Sequence, residues 1–189
     1  MKEIMGDKTE FEEENMVYFS HEGLIIRNMQ HEDAQVIADA EMKQGWHGSV
    51  EKYLKRLDDQ NSGKSIALVA DYLGHPVGYI NLYPNSMRGA FGGKGYSEIV
   101  DFGVLAKNRN QGIGTTLLNV VEKIAADYAD IVYLGVGLHS GYGNAQRMYV
   151  KRGYIPDGTG VWYHDEICRP YGECKNDDDL VLYLSKKLK

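Results

Sequence analysis

The stretch KNRNQGIGTTLL, residues 107–118, sets an arginine, two glycines and two threonines directly ahead of an apolar run. The preceding YSEIVDFGVLA reads as a strand, and the apolar spacing from Ile113 onward reads as a helix, so the stretch is a strand-to-helix turn. The first turn of a helix carries unpaired N–H donors and the positive end of the macrodipole. Gly112 and Gly114 let a ligand oxygen come close to that backbone, Arg109 adds a forked cation, and Thr115 and Thr116 add hydroxyl donors. The ligand this turn suits is an anion. A Walker loop would end in Gly-Lys-Ser/Thr, which is absent, and a dinucleotide fingerprint would place a third glycine where Leu117 stands.

Working outward, GLIIRNM is a first strand. The pattern of Ala34, Ile37, Ala38 and Met42 predicts a helix over 31–45, and Tyr53, Leu54 and Leu57 predict a second over 49–57. Between them QGWHGS is a glycine-broken loop holding Trp46 and His47. KSIALVADYLGHPVGYINLYP reads as a hairpin, and SMRGAFGGKG as a glycine-rich link. After the opening stretch comes a helix whose apolar face is Ile113, Leu117, Val121, Ile124, Ala125 and Tyr128. The strand DIVYLGVGL follows, then a short helix closed by Gly153, then two last strands in GVWYHDEI and DLVLYLS. The order predicts an α/β sheet with helices on both faces.

The chain has 189 residues, of which 43% are hydrophobic and 25% charged, enough to bury a full core in one domain. Its net charge of −6 argues against a general nucleic-acid binder, and no apolar run reaches the ~20 residues that span a bilayer. Cys168 and Cys174 do not have zinc-site spacing; they fit a reduced cytoplasmic compartment and leave a local disulfide open. The acidic N-terminus, with Glu10, Glu12, Glu13 and Glu14, has no secretory pattern and reads as an extension over 1–20 ahead of a domain over 21–189.

Arg109-x-x-Gly112-x-Gly114 after a strand resembles the acetyl-CoA pyrophosphate loop of the GNAT acetyltransferase superfamily. NAQRMYVKRGY is similar to that superfamily's later helix, with Ala145, Tyr149, Gly153 and Tyr154 in its recurring places, and SEIVDFGV is similar to its central strand. The resemblance covers the chain from Leu24 to its end and is strongest from Tyr96 to Asp157. Three positions depart from the pattern: Ala106 for a proline, Asn110 for a glycine after the loop arginine, and Tyr142 for an asparagine, with Asn144 close by.

The resemblance implies a GNAT fold, a mixed and mostly antiparallel sheet with a splayed central strand pair. It implies acetyl-CoA as cosubstrate and no metal. The cofactor would be held by the backbone of Val104 and Leu105, by Arg109, Asn110, Gln111, Gly112, Ile113, Gly114 and Thr115, and by Asn144. Tyr149 would protonate the leaving thiolate. The amine must lose a proton before it attacks, and a carboxylate serves as base. Glu98 matches the base of histone-type members and Asp101 an acidic position of small-amine members. Their odd spacing puts them on opposite faces of a regular strand, unless a bulge near Gly103 alters this.

The acceptor side falls on Trp46 and His47, on the long acidic stretch from His164 to Asp179 as a candidate lid, and on His139 as a further candidate. The expected activity is acetyl transfer from acetyl-CoA to a primary amine by direct attack in a ternary complex. The acceptor would be a small cationic amine, or a peptide amine, and the protein a cytoplasmic monomer or homodimer. The alternative is a catalytically silent acyl-CoA-binding module. Nucleic-acid and membrane partners are not expected.

Overall fold

A computed structural model describes residues 16–189. Its elements in chain order are β1 (Val17–His21), β2 (Leu24–Asn28), α1 (His31–Lys43), α2 (Val50–Asn61), β3 (Ile66–Tyr72), β4 (His75–Tyr83), β5 (Ser97–Val104), α3 (Ile113–Tyr128), β6 (Ile131–Gly137), α4 (Gly143–Lys151), β7 (Ile155–Tyr163), β8 (Glu166–Ile167) and β9 (Leu180–Lys187). The nine strands form one sheet in the order β1-β2-β3-β4-β5-β6-β9-β7-β8. The β5–β6 pair is parallel, whereas β1–β2, β2–β3, β6–β9, β7–β9 and β7–β8 are antiparallel. The expected α/β class with a mixed, mostly antiparallel sheet is the fold observed.

By contact the chain divides into two units, and β3, β4, β5 and α3 contribute to both. The first takes the chain as far as Gly63, then Ala67–Tyr79 and Gly103–Val120. Its core packs Ala34, Ile37 and Ala38 of α1 against Tyr53 and Leu57 of α2 and against Ala67, Val69 and Tyr79 of the strands. Large apolar side chains buried this way contribute roughly 1.5–3 kcal/mol each. Ser49 caps α2 by accepting from the Lys52 N–H. Met42 follows the helical spacing of α1 but is exposed. Buried Asp33, in the first turn of α1, accepts the Gln30 N–H at 2.7 Å and a two-pronged ion pair from Arg27 of β2 at 2.6 and 2.9 Å.

The second unit comprises Lys64–Ile66, Ile80–Phe102 and Val121–Lys189. Val121 and Ala125 of α3 are buried in it with Val132 and Leu134 of β6, Leu184 of β9 and Tyr154. Tyr128, counted on the apolar face of α3, is instead exposed at the helix end. Beneath α4 the Glu122 carboxylate accepts from Arg152 (Nε 3.0 Å, Nη2 2.9 Å), the Tyr154 hydroxyl (3.0 Å) and Lys186 Nζ (2.6 Å). Gly153 ends α4 in the left-handed region, and the Tyr154 N–H returns to the Tyr149 carbonyl at 3.0 Å, as a Schellman closure requires.

Two expectations change. Residues 17–20 were read as part of the extension, but Val17–His21 is an edge strand turned into β2 through Glu22 and Gly23, both at positive φ. The consecutive Val17, Tyr18 and Phe19, all of high strand propensity, outweigh the acidic character of their surroundings; residues 1–15 lie outside the described residues. The stretch after Tyr163 is not wholly a loop. His164 and Asp165, at φ 51° and 61°, form a two-residue turn that pairs Tyr163 with Glu166 and makes β8.

Candidate active site

In the first unit the strand-to-helix turn has the expected build. Gly112, at φ +81°, leads into α3, and a side chain built on it would meet nothing within 4 Å, so its backbone faces open space. The residues that follow begin the helix, whose first N–H groups have no intrahelical partner. Asn110 stands at φ +61°, the left-handed conformation that asparagine tolerates better than other non-glycine residues. The exposed donors and open glycine backbone fit an anionic group such as a pyrophosphate.

Arg109 is fixed on two sides. Its Nε donates to the Val104 carbonyl at 3.1 Å, and its guanidinium carbon lies 4.8 Å from the centre of the Trp46 ring. Gln44, at the end of α1, reaches the same segment by accepting the Ala106 N–H at 2.9 Å. Trp46 thus touches the turn before α3 rather than standing apart from it, and His47 is exposed. Leu105 departs from expectation. Its N–H donates to the Val77 carbonyl and its carbonyl accepts from Asn108, both at 2.9 Å, so neither group is open to a ligand in this conformation. Gln111 and Thr115 are exposed, and the Thr116 hydroxyl turns back to the Gly112 carbonyl at 3.2 Å.

In the second unit β5 and β6 pair only from Ser97–Val132 to Ile99–Leu134, although β5 runs on to Val104 and β6 to Gly137. The two strands part where Asp101 takes φ +52°. The backbone irregularity of β5 lies at Asp101, whereas a bulge was considered near Gly103. Beside it the Phe102 ring lies 6.4 Å from that of Tyr149. Tyr149 is only 6% exposed, and among the described residues its hydroxyl has no hydrogen-bond partner. Burial, and then the neighbouring Tyr142, push its phenol above the ordinary range, so it holds its proton at neutral pH. Asn144 is exposed in the first turn of α4.

Glu98 has different company. It pairs across with Tyr133, and Gly135 pairs with Tyr183, so these side chains share one face of the sheet. Trp162 reaches the same face, its ring 5.3 Å from Tyr183. The buried Glu98 carboxylate accepts from the Ser86 hydroxyl at 2.5 Å. Over this face lies the glycine-rich link. Phe91 stacks 5.1 Å from Tyr133, and Gly89 sits so close that a side chain there would strike the Tyr183 ring. Arg88 of the link donates to Asp165 of the β7–β8 turn at 2.9 and 3.3 Å, and the Tyr183 hydroxyl donates to the same carboxylate at 3.3 Å. Asp165 belongs to the stretch read as a candidate lid, whereas Arg88, Tyr133 and Tyr183 were not read as site residues.

The remaining candidates are engaged elsewhere. Nδ1 of His139 accepts the Gly141 N–H at 3.1 Å, which puts the ring proton on Nε2, 2.9 Å from Asp178 Oδ1. The Tyr142 hydroxyl donates to the same oxygen at 2.9 Å, and its ring lies against Gly137. Four carboxylates of the acidic stretch are paired: Asp165 with Arg88, Asp177 with Lys175, Asp178 with His139 and Tyr142, and Asp179 with His164. Among the described residues no cluster of His, Cys, Asp and Glu could hold a metal ion, and no helix is long and apolar enough to cross a membrane.

Known structures share this fold. An acetyltransferase of the GNAT family from Desulfovibrio desulfuricans superposes with a TM-score of 0.66 over 88% of this chain and 99% of its own, at 13% identity. A ribosomal-protein-alanine N-acetyltransferase from Brucella melitensis matches at 0.61, covering 86% and 98%, at 21% identity. An acetyltransferase from Salmonella typhimurium, determined with its cofactor acetyl-CoA, matches at 0.64, covering 88% and 95%, at 14% identity. These likenesses establish the fold. No curated protein matches the sequence significantly. The family model for the acetyltransferase (GNAT) family matches residues 28–154, which include the turn at Gly112 and the helix carrying Tyr149, and the chain is a member of that family.

Proposed function

We propose that this GNAT acetyltransferase moves the acetyl group of acetyl-CoA to a primary amine by direct attack in a ternary complex, and that the amine is small and cationic. The observation that carries the reading is the parting of β5 from β6 after Ile99–Leu134, with the protonated, buried and unpartnered Tyr149 hydroxyl beside it. Acetyl-CoA supplies an acyl group already activated as a thioester. Arg109, the backbone around Gly112 and the first turn of α3 bind its phosphates. Tyr149 gives its proton to the departing sulfur. Glu98, or Asp101 at the break, takes the proton that the ammonium must lose before attack. The face bearing Glu98, Tyr133, Tyr183 and Trp162, with Asp165 at its rim, supports a cation: aromatic faces and carboxylates both attract one.

The test is release of free CoA from acetyl-CoA across a panel of polyamines, aminoglycosides, amino acids and peptides, with the acetylated product identified by mass. Turnover confined to cationic primary amines is expected. Hydrolysis that no amine accelerates would remove the acceptor reading.

A further inference from the structure

Cys168 and Cys174 lie at the two ends of a tight turn, and their sulfurs are 2.7 Å apart, closer than unbonded sulfurs normally rest. The turn explains the approach. The Cys168 N–H is tied to the Val161 carbonyl at 2.8 Å, which anchors that end on β7. Pro170 and Tyr171 occupy the corner of a turn closed by the Gly172 N–H to the Arg169 carbonyl at 2.9 Å. Tyr171 stands at φ +63°, fully exposed, where a turn of this kind ordinarily has glycine. A bulky residue keeps that conformation only when the surrounding structure imposes it. Neither sulfur is deeply buried, and no metal cluster among the described residues claims the pair.

We propose that Cys168 and Cys174 form a reversible dithiol–disulfide modification site whose reaction partner is a low-molecular-weight disulfide such as glutathione disulfide. One cysteine thiolate attacks a sulfur of the small disulfide; its S–S bond breaks and one small thiolate leaves. The second cysteine, as thiolate, then attacks the protein sulfur of the mixed disulfide and expels the other small thiolate. The protein loses two electrons and two protons, and the small disulfide is reduced to two thiols. The hydrogen bond between the two sulfurs pushes the Cys168 thiol up to about 11, so exchange quickens as the solution becomes alkaline.

Closure would fasten the end of β8 to the segment leading to Asp177, Asp178 and Asp179. The same hairpin presents Asp165 to Arg88 above Glu98. Oxidation would therefore be felt on the acceptor side, a step that rests on the acceptor reading given above.

The test is to equilibrate the full chain with glutathione and glutathione disulfide and follow intact mass and alkylatable thiols. The wild type is expected to lose two hydrogens and both alkylatable thiols, reversed by dithiothreitol. Cys168→Ser and Cys174→Ser should each stop as a single glutathione adduct. A wild type that stops at the mixed disulfide, links chain to chain, or stays a dithiol in excess glutathione disulfide overturns the site. This chemistry needs no acceptor, so it stands or falls apart from the proposed activity. In turnover, oxidation should shift the acceptor KM by about threefold, leave the KM for acetyl-CoA unchanged, and have no effect on the double serine variant. Equal acceptor KM in both redox states overturns the link to the acceptor side.

Discussion

The indole of Trp46 lies against the guanidinium of Arg109, 4.8 Å from ring centre to central carbon. The contact joins the loop between α1 and α2 to the turn that precedes α3. Arg109 also donates to the Val104 carbonyl, so its guanidinium is held in place before any anion arrives. Trp46→Ala removes one of its two holds, and a cation–π contact at a partly exposed site is worth about 0.5–1 kcal/mol. The acetyl-CoA KM should rise about two- to fivefold, with Trp46→Phe recovering part of the loss and the acceptor KM unmoved. A rise in acceptor KM alone would make Trp46 an acceptor residue, as its loop position first suggested.

Gly112 carries the next prediction. Its φ of +81° is unfavourable for any L side chain, and its exposed backbone leads into the N-terminus of α3. Gly112→Asp adds strain and a negative charge beside the proposed pyrophosphate. Acetyl-CoA affinity by calorimetry should fall about tenfold or more, a local loss of roughly 1.4 kcal/mol. Unchanged affinity in a folded variant would detach the cofactor from this turn.

Local signals were the readable ones. The turn before α3 and the closing glycine of α4 are written in adjacent residues whose chemistry permits little else. Asn110, which departs from the family pattern, stands at the positive φ that glycine adopts most readily. Long-range pairings were not readable. Arg88 and Asp165 are 77 residues apart and meet only because β7 turns tightly at His164 and Asp165. Spacing alone could not tell that Glu98 and Asp101 have separate neighbours, because the outcome depended on where β5 breaks. Met42 and Tyr128 obey the helical period but sit at helix ends, where the packing they were assigned to has run out.

Tyr149 should matter to the rate and not to binding. Its ring packs on Phe102 and Tyr154, so Tyr149→Phe keeps the packing and removes one hydroxyl. A general acid contributes about 10²–10⁴ in rate, and a thiolate is already a fair leaving group, so kcat should fall by about 10². Full turnover by the phenylalanine variant would exclude an essential acid at this position.

Glu122 ties α3 to α4 and β9 through Arg152, Tyr154 and Lys186. Burial alone would raise its carboxyl, but the hydrogen bonds and charges of Arg152 and Lys186 outweigh burial and hold it below its ordinary 4.5. Because the folded value is the lower one, its stabilisation is complete above the unfolded value and is lost as pH falls through the folded one. Glu122→Gln leaves two cations short of a partner and should cost about 2 kcal/mol, or about 5 °C in Tm, at pH 7. The gap between wild type and variant should narrow in acid. A gap that is constant from pH 7 to pH 3 would contradict the charge argument.

The last prediction separates the two carboxylates. Glu98 is buried, accepts from Ser86 and lies on the face with Tyr133 and Tyr183, which suits a base shielded from bulk water. Asp101 sits half-buried at the break in β5, its charge felt by Tyr142. Glu98→Gln should lower kcat by about 10² and flatten the rise of rate with pH, because the amine then loses its proton only to solvent. Asp101→Asn should raise the acceptor KM more than it lowers kcat, as expected of a group that attracts a cation. Added salt should raise the acceptor KM of the wild type, since exposed charges are screened over about 10 Å at 0.1 M. The exchange of these two signatures, with Asp101→Asn flattening the pH profile, would make Asp101 the base. A best acceptor that is neutral or anionic, with a KM indifferent to salt, would end the cationic-amine reading and leave the acetyltransferase family assignment intact.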